Sequence, residues 1–71
     1  MIKEAITTLI DKGDLTRAQM QSVFEEIMRG QVSPARISAF LIALRMKGET
    51  AEEISGAALA MRKFVKRIDI D

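Results

Sequence analysis

Ser33-Pro34-Ala35-Arg36-Ile37-Ser38-Ala39-Phe40-Leu41-Ile42-Ala43-Leu44-Arg45-Met46-Lys47-Gly48 is the stretch that decides the fold. Serine caps helices well, and proline is tolerated at the first helical position, where its missing N–H would have no partner anyway. Val32 and Ile37 are spaced to staple this start. Beyond it, Ile37, Phe40, Leu41 and Leu44 form one apolar face, and Ala39, Ile42, Ala43 and Met46 form a second. A helix that is apolar nearly all round is buried nearly all round. A chain of 71 residues has little of its own to cover both faces, so the second face points to a partner surface.

Outward from this helix, Gly13, Gly30 and Gly48 divide the sequence into four segments of helical periodicity, and each glycine can supply the left-handed residue that ends a helix. Helices are expected at about 2–12, 17–29, 34–47 and 51–67. The first carries Ile2, Ala5, Ile6 and Leu9 on one face. The second opens on a capping box, Thr16 with Gln19, flanked by Leu15 and Met20 at staple positions; its stripe is Met20, Val23, Phe24 and Ile27. The fourth opens on a second box, Thr50 with Glu53, and its expected buried stripe is Ile54, Ala57, Ala58, Met61 and Val65. Gly56 inside that helix costs about 1 kcal/mol relative to alanine, so its presence beside three alanines implies close approach of another backbone. Ile68-Asp69-Ile70-Asp71 alternates with period two, as a half-buried strand does. The fold class is therefore all-α, a small four-helix bundle over 1–67, with 68–71 starting a linker or strand.

Composition narrows the chemistry. Hydrophobic residues make up 48% of the chain and aromatics 4%, a mix that suits aliphatic helix packing better than a sheet. With no cysteine and no histidine, disulfides, thiolate metal sites and the commonest general base are excluded; only a carboxylate site is left open. A single core of this size seldom supplies more than about 3–5 kcal/mol without a staple or partner. The net charge is +1, far from the basic excess that phosphate neutralisation demands. No apolar run approaches the ~18–20 residues of a membrane span. The opening Met-Ile-Lys-Glu-Ala-Ile lacks a signal peptide's pattern, so the expected location is cytoplasmic.

The features that tempt a catalytic reading are weak. The glycines do not form a phosphate-cradling G-x-G-x-x-G loop. Glu25-Glu26 and Glu52-Glu53 are adjacent on helices and diverge by about 100°, so they read as solvated surface and caps. Arg62, Lys63, Lys66 and Arg67 suit a helix C-terminus, where the macrodipole is negative; a phosphate or nucleic-acid contact is the competing reading. A helix-turn-helix around Gly30 would present Ser33, Pro34, Ala35 and Arg36 and then apolar residues, a poor set for reading bases. Met20, Met28, Met46 and Met61 read as core filler.

A resemblance adds to this. Gly30 to Pro34, the run Ala-Phe-Leu-Ile-Ala-Leu-Arg-Met-Lys-Gly-Glu-Thr from Ala39 to Thr50, Glu53-Ile54 and Gly56 to Arg62 resemble the amino-terminal helical domain of anthranilate phosphoribosyltransferases, in the nucleoside phosphorylase and phosphoribosyltransferase family. Gly13-Asp14-Leu15-Thr16 is similar to that family's first turn. The resemblance implies a two-domain, homodimeric enzyme of tryptophan biosynthesis. Its helical domain forms the dimer contact, is completed by later helices, and is followed by an α/β domain. A Gly-Thr-Gly-Gly-Asp-type loop would bind phosphoribosyl pyrophosphate with Mg²⁺, in a cleft where anthranilate also binds. All of these groups are expected beyond Asp71. No catalytic, cofactor-binding or metal residue is therefore assigned in this chain, which is expected to be inactive alone. The candidate dimer or domain interface is Ile2, Ile6, Ala39, Ile42, Ala43 and Met46, on the first and third helices. The alternatives are the helical domain of a pyrimidine nucleoside phosphorylase, a nucleic-acid-binding paralogue, and a stand-alone protein-interaction module.

Overall fold

The computed structural model describes residues 1–68 of the chain, with side chains through Val65. It contains four helices: α1 (Ile2–Ile10), α2 (Arg17–Met28), α3 (Pro34–Lys47) and α4 (Ala51–Ile68). Ile68 closes α4, and the rest of the strand expected at 68–71 lies outside the described residues. Among the described residues, no helix is long and apolar enough to cross a membrane.

The helix starts follow the caps. Thr16 Oγ1 accepts from the Gln19 amide at 3.1 Å, and Gln19 Oε1 accepts from the Thr16 amide at 2.9 Å. Thr50 and Glu53 repeat this reciprocal arrangement at 3.1 and 2.9 Å. Ser33 Oγ accepts from the Arg36 amide ahead of Pro34. Each box satisfies two amides that the helix leaves without partners.

The first helix ends differently from expectation. It stops at Ile10, and the left-handed residue is Lys12, with φ 65°, not Gly13. The Gly13 and Lys12 amides donate to the carbonyls of Thr8 and Leu9 at 2.8 and 2.9 Å, the paired bonds of a Schellman ending. Glycine is needed one residue later because a Cβ there would sit 3.0 Å from Thr8 Cγ2 and 3.2 Å from the Thr8 carbonyl oxygen. Gly30 and Gly48 do take positive φ.

The helices pack mainly in two pairs, α1 on α3 and α2 on α4, with a smaller α1–α2 contact, while α3 and α4 barely touch. Ile2, Ala5 and Leu9 of α1, Leu15 of the first turn, Met20 and Val23 of α2, and Phe40 and Leu44 of α3 form one core. Phe24 and Phe40 join α2 to α3 edge to face, with ring centroids 6.0 Å apart.

The fourth helix turns a different face inward from the one its apolar stripe implied. Ile54, Met61 and Val65 are exposed, and Ala57 and Ala58 are half-buried; Glu53, Gly56 and Ala60 are buried instead. Small residues at 56 and 60 let the backbones of α2 and α4 approach, which large side chains would prevent. A Cβ on Gly56 would collide with the Arg17 carbonyl and lie 2.9 Å from Met20 Cβ. Leu41, expected on the core face of α3, is exposed as well. So are Met46 and Met61, which are surface residues and not the core filler they resembled.

Gly56→Ala therefore tests the packing directly. Alanine improves helix propensity by about 1 kcal/mol, so a helix free of neighbours would gain stability. Here overpacking against α2 outweighs that gain, and a net loss of about 1–2 kcal/mol should appear as a lower melting midpoint by circular dichroism. A rise in the midpoint would contradict the close approach.

Candidate functional site

Among the described residues, two apolar surfaces remain open. The first lies between α1 and α3, a hollow of about 180 Å³ lined by Leu9, Ile10, Ala43 and Met46, with Lys12 and Lys47 at its polar edge. The second lies between α3 and α4, a groove of about 240 Å³ whose walls include Phe24, Leu44, Ile54, Ala57 and Met61. The interface residues chosen from sequence fall unevenly on this surface. Ile42 and Met46 are 59% and 81% exposed, and Ala39 is exposed too. Ile6 and Ala43 are half-buried against the core, and Ile2 is buried within it, packed with Ala5 and Leu9. Ile10 and Leu41, outside that interface set, are both exposed. Ile10 extends the first surface by one helical step beyond Leu9.

The basic run is only partly described. Lys63 Nζ lies 3.4 Å from Glu25 Oε2, and Arg29 lies 3.6 Å from Glu25 Oε1, so one cation of the run already faces a carboxylate. Among the described residues, no three metal-ligating side chains converge.

The most constrained polar group is one that sequence reading assigned to a cap and solvated surface. Glu53 does cap α4, but it is fully buried. Its Oε1 accepts from Lys47 Nζ and from the Thr50 amide, both at 2.9 Å, and its Oε2 accepts from the Leu15 amide at 2.7 Å. Lys47, with a side chain 6% exposed, also donates to Asp14 Oδ1 at 3.0 Å and to the Gly48 carbonyl at 2.6 Å. All three ammonium protons thus have acceptors. The sequence signal was a capping glutamate six residues after a lysine, with an Asp-Leu turn elsewhere to receive both; only the turn's position in space completes it.

Burial pushes the Glu53 carboxyl up, but bonds from Leu15, Lys47 and Thr50, with the lysine's charge, outweigh it and hold it below its ordinary 4.5. Burial likewise pulls Lys47 down, and its bonds to Glu53 and Asp14 hold it above its ordinary 10.5. A carboxyl with a depressed folded value stabilises the fold above its unfolded pKa, and this is lost as pH falls through the folded value. The melting midpoint should therefore hold between pH 5 and 8 and fall below about pH 4.5. Glu53→Gln should lose about 3 kcal/mol at neutral pH, because it leaves a buried lysine short of a partner. It should also flatten the acid limb of the profile. An unchanged neutral midpoint would rule out a stabilising role for Glu53.

Comparison with known proteins places this geometry. Residues 3–65 match the helical bundle domain of the glycosyl transferase family. The chain is 54% identical over 71 residues to a protein of Anaeromyxobacter sp. (strain Fw109-5) named anthranilate phosphoribosyltransferase, covering all of this chain and 21% of that protein. It is 50% identical over 70 residues to the protein of that name from Geotalea uraniireducens (strain Rf4), covering 99% of this chain and 20% of the relative. A third, from Geobacter sulfurreducens, is 56% identical over 62 residues, covering 87% of this chain and 18% of its own length. The chain thus spans about a fifth of the length of the relatives it matches. With four helices in the described residues and a family match across nearly all of them, this chain belongs to the glycosyl transferase family, as its helical bundle domain.

Proposed function

We propose that these four helices are the amino-terminal helical domain of an anthranilate phosphoribosyltransferase. The observation that carries this reading is the likeness, at about half identity over essentially the whole chain, to proteins that bear that name. In the intact protein, the amine of anthranilate displaces pyrophosphate from the anomeric carbon of phosphoribosyl pyrophosphate, with Mg²⁺, in the cytoplasmic synthesis of tryptophan. The groups that bind both substrates and the metal lie outside this chain. The helices supply scaffold, one wall of the cleft and the subunit contact.

A subunit contact at α1 and α3 is supported by the exposure of Ile42 and Met46 beside Ile10. Within the candidate interface, Ile2 contributes least to a contact, being fixed in the core. Ile6 and Ala43 would back it, and Ala39, Ile42 and Met46 would make it. The nucleic-acid reading draws little support, since Lys63 already faces Glu25.

Two measurements test the proposal. The 71-residue chain, given anthranilate, phosphoribosyl pyrophosphate and Mg²⁺, should give no change in anthranilate fluorescence above blank, whereas the intact protein should consume it; turnover by the chain alone would overturn the division of labour. Sedimentation should find the chain self-associating, with a melting midpoint that rises with concentration. The double variant Ile42→Glu, Met46→Glu should be monomeric and lose the concentration dependence, because it places charge in the contact. A dimer unaffected by these changes would move the contact off α3.

A further inference from the structure

The two helix pairs meet across a thin molecule, with principal extents of 43, 26 and 16 Å. Packing fixes α4 to α2 and α3 to α1, but it does little to fix α3 against α4. Between those two helices lies the open groove walled by Leu44, Ile54 and Met61. Their connection is short: Gly48 at φ 95°, then Glu49 and Thr50. A Cβ at Gly48 would meet nothing within 4 Å, so no neighbour braces the elbow from outside.

What spans the elbow on its inner side is polar. Lys47 ends α3, Glu53 lies in the first turn of α4, and their side chains meet at 2.9 Å with almost no access to water. Each is anchored a second time to the turn between α1 and α2, Lys47 through Asp14 and Glu53 through the Leu15 amide. The end of α3 and the start of α4 are thus tied at one point to a turn more than thirty residues away in sequence. The other described ion pair at the start of α4, Arg17 with Glu52 at 3.1 Å, is exposed and joins α4 to its own partner α2. It cannot set the angle between α3 and α4.

We infer that the buried Lys47–Glu53 pair is a clamp that sets the angle of the α3–α4 elbow, and with it the width of the groove between them. With the pair removed, α4 shifts against α3 and the elbow opens at Gly48.

The chain has no cysteine, so two introduced ones give unique spin-label sites. Ser38→Cys on α3 and Arg62→Cys on α4 are exposed and far from the elbow on either arm. Pulsed electron resonance on the full chain should give one narrow distance distribution. Adding Lys47→Met with Glu53→Gln removes both charges and keeps an oxygen for a backbone amide; replacing both partners of a buried pair is often tolerated. The clamp predicts a folded protein by circular dichroism, with a broader distribution and a longer mean distance. A folded variant with the parent distribution would overturn the clamp. So would failure of this variant to fold, since the pair would then be a general requirement of the core. Glu52→Gln, which breaks only the exposed pair, should leave the distribution unchanged; equal broadening there would also overturn it.

Discussion

The rest of the structure depends on one buried carboxylate. Glu53 has no exposure to water, and a charge so placed costs several kcal/mol unless every oxygen is occupied. The occupants are the Lys47 ammonium and the amides of Leu15 and Thr50, drawn from three separate connections or helix ends. No partner can be displaced without leaving an uncompensated group, so the three segments hold one arrangement relative to each other. An apolar contact at the same place would tolerate sliding. The ionic one fixes the register of α4 against the first turn.

The second constraint is the close approach of α2 and α4. It follows from the small side chains at Gly56 and Ala60, which replace bulk with backbone proximity. The consequence is visible outside the contact. Once α4 presents Glu53, Gly56 and Ala60 inward, its larger apolar residues must face elsewhere, and Ile54 and Met61 line the groove toward α3. The same division holds on α3, where Phe40 and Leu44 fill the core and Ile42 and Met46 are left over. A bundle this thin has two sides for every helix and enough chain to cover one. Such leftover apolar surface is what a domain carries when its full burial depends on other parts of an assembly.

In the comparisons, the chain corresponds to about a fifth of its relatives' length. The family membership and the leftover surface are independent observations. One comes from residue identity along the chain and the other from how four helices fill space.

Local chemistry was legible in the sequence because it acts over three or four residues. Thr16 with Gln19, Thr50 with Glu53 and Ser33 before Pro34 fix where helices start, and the apolar spacing of α1 and α2 fixes which faces turn inward. Gly56 also declared a close contact, since a helix bears an interior glycine at a cost only for a reason. The sequence could not say that Leu41 leaves the core face of α3, nor that α4 buries its small residues in place of its large ones. Those outcomes depend on how near two backbones can come, a property of pairs of helices and not of either one. Nor could it distinguish Glu53, a capping residue like Gln19 by pattern, from a solvated one. Its burial and its lysine are decided where the first turn, the end of α3 and the start of α4 converge, because only there is water excluded and a charge left in need of a partner.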